Sequence, residues 1–148
     1  SPKITTDYTG FGNTDNLLKI DKEIIYIQLS DFIDLLPYDT SNYLNIKNYL
    51  LTEKYKKDGL EIVGITLTSG SPENIQSFSD KWGINYTLLT DIEGNETQVV
   101  TAKYGQATGQ RITGIPTTFI IDREGYIRQR YVGPRSESIF YKDLEPYL

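Results

Sequence analysis

Short apolar runs of β-forming residues alternate with helix-period segments along this chain, and its last two runs are joined by a tight turn. Ile24-Ile25-Tyr26-Ile27-Gln28-Leu29 and Leu60-Glu61-Ile62-Val63-Gly64-Ile65-Thr66-Leu67 have the length and β-branched content of buried strands. Between them, Tyr43, Ile46 and Leu50, with Leu44, Leu51 and Tyr55, recur at helical spacing. They predict a helix over residues 39–57, capped by Asp39, Thr40 or Ser41 and stopped by Asp58-Gly59. Ser71-Pro72-Glu73 places a capping hydroxyl, a first-turn Pro and an acid in succession, starting a helix that reaches Trp82-Gly83. A short strand over 86–89, a loop over 91–95 and a helix over 96–104 follow. Residues 116–121 form the next strand, Asp122-Arg123-Glu124-Gly125 a hairpin turn, and residues 126–132 its partner. Gly133-Pro134 breaks that strand, and residues 136–148 read as a closing helix.

The order β-α-β-α-β-α-β-β-α implies parallel strands first and an antiparallel pair at the end. The expected fold class is α/β, a central mixed sheet with helices on both faces. Residues 1–23 are polar, with Gly10, Gly12 and Asn13 as turn formers. They are expected to form an N-terminal extension or small hairpin before a single domain over 24–148.

Cys, His and Met are absent from the 148 residues, which removes several chemistries together. No thiolate, disulfide or soft-metal site can form, and there is no imidazole base or ligand. A Ser-His-Asp hydrolase is excluded for the same reason. No metal or cofactor is implied. The net charge of −5 argues against a nucleic-acid partner. No apolar run is long enough to span a membrane. With Ser at position 1 the chain is expected to begin at a processing site or inside a longer protein, so an upstream leader or anchor is possible.

Local motifs sharpen the fold. Gly114-Ile115-Pro116-Thr117-Thr118-Phe119-Ile120-Ile121-Asp122, continuing as Arg123-Glu124-Gly125-Tyr126-Ile127, resembles the cis-proline strand and last hairpin of TlpA/ResA-type thioredoxins, within the AhpC/TSA-related redoxins. Residues 60–67 followed by Ser71-Pro72-Glu73 and Phe78 are similar to that family's second strand and extra helix. Tyr86-Thr87-Leu88-Leu89-Thr90-Asp91 and Ala102-Lys103-Tyr104-Gly105 fit what comes next. The resemblance covers about residues 24–148 and implies a thioredoxin-like fold with Pro116 in a cis bond facing the site. An ordinary trans bond at a strand-leading Pro is the alternative.

The resemblance also implies a W-C-x-x-C motif after the first strand. Phe32 then takes the Trp position, and Ile33-Asp34-Leu35-Leu36 takes the place of C-x-x-C. A peroxiredoxin register over Asp31-Phe32 to Leu36-Pro37-Tyr38-Asp39 puts Leu36 at the peroxidatic cysteine. A register similar to Sco-type copper chaperones also ends at Leu36. Each of them loses its reactive residue, so the expectation is a redox-inactive domain that is not an enzyme.

Two readings of the former active-site face stay open. Phe32, Ile33, Asp34, Leu35, Leu36 and Tyr38, with Ile115, Pro116 and Thr117, form either a partner-binding patch or an inward-packed filling of the vanished disulfide. Asp31 and Asp34 are either a carboxylate pair or solvated loop acids. The 12 tyrosines suit an interface or reflect composition. The expected role is protein binding or assembly, as an accessory subunit of an extracytoplasmic complex with a protein partner. The alternatives are a non-thiol enzyme and a small-ligand or peptide-binding module.

Overall fold

The protein is described from a computed structural model, over residues 24–30, 40–67, 72–90 and 95–148, with side chains from Asn48 onward. The elements are β1 (Ile24–Ser30), α1 (Thr40–Tyr55), β2 (Leu60–Thr66), α2 (Pro72–Trp82), β3 (Thr87–Leu89), α3 (Glu96–Ala107), β4 (Thr117–Ile121), β5 (Ile127–Val132) and α4 (Glu137–Leu144). The predicted order is thus observed. The expected 1–23 extension lies outside the described residues.

The strands form one five-stranded sheet in the order β3-β2-β1-β4-β5. β1, β2 and β3 run parallel, while β4 is antiparallel to both β1 and β5. Side chains alternate across a strand, so consecutive residues feed opposite faces. Leu60 and Ile62 of β2 and Ile120 of β4 join Leu51, Tyr55, Phe140 and Leu144, which belong to α1 and α4. Val63, Ile65, Phe119 and Ile121 join Val100 and Tyr104 of α3. Because both faces are covered, β2 and β4 read as near-continuous apolar runs rather than as clean alternation.

Ile127 and Tyr131 of β5 have the same parity, yet they enter different clusters. A bulge explains this. Ile120 pairs with Gln129 and Ile121 with Ile127, leaving Arg128 as the extra residue. The bulge reverses the facing of the strand and aims Arg128 at the turn acid Asp122, with Nε to Oδ2 at 2.5 Å.

Two predicted details change. The described buried face of α1 is Asn48, Leu51, Thr52 and Tyr55, a single i, i+3, i+4, i+7 stripe, whereas Leu50 of the expected stripe is 39% exposed. The third helix was expected to end at Tyr104 and continues to Ala107. The hydroxyl of Thr108 donates to the Tyr104 carbonyl at 2.9 Å, and Gly109 follows in the left-handed region at φ 69.

Candidate functional site

The site is built at the start of β4. The Ile115-Pro116 peptide bond is cis, as the motif resemblance implied. Thr117, the next residue, is fully buried, and its hydroxyl donates to the Gly114 carbonyl at 2.6 Å. On the other side, the Gly133 N–H donates to the Pro116 carbonyl at 2.8 Å. Pro116 is therefore held between its own loop and the end of β5.

Sheet register decides what surrounds it. Thr117 lies opposite Leu29 near the end of β1 and opposite Val132 at the end of β5. Ile115 is 42% exposed and Val132 50% exposed. They flank the half-buried Pro116, so three apolar residues meet solvent at one end of the sheet. The backbone N–H and C=O of Ile115 make no hydrogen bond among the described residues. Arg135 borders the patch, its guanidinium donating to the carbonyls of Val132 at 3.1 Å and Pro134 at 3.0 Å.

Of the residues singled out in the sequence, Ile115, Pro116 and Thr117 are together here, though Thr117 contributes only buried structure. Phe32, Ile33, Asp34, Leu35, Leu36 and Tyr38 lie outside the described residues, as does Asp31. Val132 was missed. Its signal was the apolar residue placed immediately before the Gly133-Pro134 break, where a strand ends and its last side chain meets solvent.

Ionisable groups near the hairpin are structural. Burial pushes the Asp122 carboxyl up, but hydrogen bonds from the Tyr126 N–H, Arg128 and the Glu124 N–H outweigh it, and the net shift is downward. Burial pushes the Tyr104 phenol up. Burial does the same for Tyr131, reinforced by its short hydrogen bond to the Asp143 carboxylate.

A parallel-then-antiparallel five-stranded sheet, helices on both faces and a cis-proline leading β4 define a thioredoxin-like protein. A thiol-disulfide isomerase from Corynebacterium glutamicum has the same fold, with a TM-score of 0.69 at 19% identity over 86% of this chain and 82% of that one. More specifically, the chain belongs to the AhpC/TSA family, whose pattern matches residues 48–130.

Among curated relatives, the thiol:disulfide interchange protein HelX of Rhodobacter capsulatus is 34% identical over 93 residues, 63% of this chain and 47% of HelX. The thiol:disulfide interchange protein DsbE of Haemophilus influenzae is 28% identical over 109 residues, 74% of this chain and 50% of DsbE. The chain spans about half the length of these relatives.

These relatives correct one expectation. The prediction that the chain is not an enzyme does not stand, because the proteins it matches are named as thiol:disulfide interchange proteins. The absence of cysteine bounds the chemistry that these 148 residues supply themselves. It does not remove the protein from an oxidoreductase family.

Proposed function

We propose that the face around Ile115, Pro116 and Val132 binds an extended segment of a protein partner. The observation that carries this reading is the exposed apolar pair Ile115 and Val132 beside Pro116, next to backbone groups of Ile115 that have no partner among the described residues. A backbone donor and acceptor on one exposed residue suit main-chain pairing with an extended peptide. Apolar side chains on either side give that peptide's own side chains somewhere to bury.

The proposal extends to Phe32, Ile33, Asp34, Leu35, Leu36 and Tyr38 on the strength of the family resemblance alone, as they lie outside the described residues. A thiol that reacts at this face comes from another chain or from residues beyond these 148. The setting is extracytoplasmic, as the family resemblance implies, and the domain acts there as an accessory subunit. No described helix is long and apolar enough to cross a membrane, so an anchor would lie elsewhere.

The test is site-specific photo-crosslinking. A photoreactive residue at Val132 is expected to capture a polypeptide in cells of the source organism, and Ile115→Asp is expected to abolish capture while leaving the unfolding midpoint unchanged. Ile115 is exposed, so its replacement removes no core contact. Capture that survives Ile115→Asp, or no capture at Val132, would sink the proposal.

A further inference from the structure

We propose that a cleft on the solvent face of α3 is a binding site for a small molecule that carries a carboxylate on an apolar body. The cleft is separate from the Pro116 patch and stands or falls independently of it. Its volume is about 730 Å³, within the range of small-molecule sites.

Gly105 lines the cleft beside the 110–112 loop. A Cβ there would lie 3.4 Å from the Gln110 carbonyl oxygen and 3.5 Å from Arg111 Cα and Ile112 N. That is ordinary van der Waals contact, so a methyl group would fit while a larger side chain would press on the 110–112 loop, whose Gln110 N–H closes onto the Gly105 carbonyl at 3.0 Å. Leu67, Ala102 and Ile112 supply apolar wall, and Gln98, Gln106 and Arg111 supply polar groups.

Charge selects the ligand. Arg111 is the single charged side chain among the described lining residues, and no carboxylate lines the cleft there, although the chain has 20 acidic and 15 basic residues. Arg111 has no ion pair among the described residues. A second guanidinium lies behind the loop. Arg130 donates to Thr108 Oγ1 and the Gln110 carbonyl, both at 2.6 Å, and to the Arg111 carbonyl at 3.1 Å. Its partners are neutral, so its charge is not cancelled by a described carboxylate.

These bonds also occupy the loop's carbonyl groups, while the N–H groups of Arg111 and Ile112 make no hydrogen bond among the described residues. A loop with engaged carbonyls, open donors and two guanidinium groups favours an anion. One exposed planar guanidinium beside apolar wall matches a carboxylate on an apolar body better than a doubly charged phosphate.

The experiment is an NMR titration of the 148-residue chain with 4-phenylbutanoate and with its neutral amide, in the wild type and in Arg111→Gln. The acid is expected to shift the amides of Gln98, Ala102, Gly105 and residues 110–112, with a Kd of about millimolar for a ligand of this size. The amide is expected to bind about tenfold more weakly, the worth of one charge-assisted hydrogen bond. That advantage should vanish in Arg111→Gln, and in the wild type it should shrink with added salt. Equal binding of acid and amide, an advantage that survives both Arg111→Gln and added salt, shifts confined to another surface, or no saturable shift would each overturn the proposal.

Discussion

Replacing Asp122 by Ala should destabilise the protein by about 2 kcal/mol at neutral pH, with most of that difference disappearing in acid. Asp122 is 4% exposed. Oδ1 accepts from the Glu124 N–H at 3.0 Å and the Tyr126 N–H at 2.9 Å, and Oδ2 accepts from Arg128 Nε at 2.5 Å. A hydrogen bond to a charged group contributes about 1.5–3 kcal/mol. Glu124 and Arg128 are exposed, so their donors recover water when the carboxylate is removed, and the three losses do not add. The result is about 2 kcal/mol, or a drop of about 4–8 °C in Tm for a domain of this size.

The sign of the pH dependence follows from the carboxyl pKa, which is lowered in the folded state. Its stabilisation is complete above the unfolded value, about 3.9, and is lost as pH falls through the lower folded value. Urea unfolding of wild type and Asp122→Ala at a series of pH values from 7 to 3 measures this. The two midpoints should converge toward the acid end. A gap of constant size across that series, or no gap at pH 7, would refute the assignment of the turn's stability to the ionised carboxylate.

Three further changes test the interior. Phe119 is fully buried against Tyr104, with ring centroids 5.0 Å apart, and Phe119→Ala should cost about 3–5 kcal/mol in denaturant unfolding. The Tyr104 hydroxyl is buried without a hydrogen-bond partner among the described residues, so Tyr104→Phe should be neutral or stabilising by up to about 1 kcal/mol; a clear loss in Tm would mean that the hydroxyl is satisfied in solution. Gly105→Val should push the 110–112 loop off α3, costing about 1–3 kcal/mol and moving the amide resonances of that loop.

Several features were legible in the sequence because they are local. Strand and helix order, the Asp122–Gly125 turn, the stop at Gly59 and the helix start at Pro72 each depend on a few neighbouring residues, and the structure has them where the pattern placed them. Cis Pro116 was legible through its motif, and the lack of a thiol through a count.

The remainder needed contacts between distant segments. Leu44, Leu50 and Leu51 are the same residue type on one helix. Leu51 is fully buried while Leu50 is 39% exposed, because the sheet and α4 cover the side of α1 that carries Leu51. Val132 looks like any strand residue until register sets it opposite Thr117, beside Pro116. Arg128 and Arg130 are two apart on one strand. A bulge turns the first onto Asp122, while the second reaches across to the loop that follows α3. Local composition therefore fixed which segments become strands and helices and which chemistry the chain lacks. The facing of each side chain, and with it the patch at Pro116 and the cleft at Gly105, was decided only when the sheet closed. Such facing depends on partners well separated in the chain, as Leu29 is from Thr117 and Arg130 from Gln110.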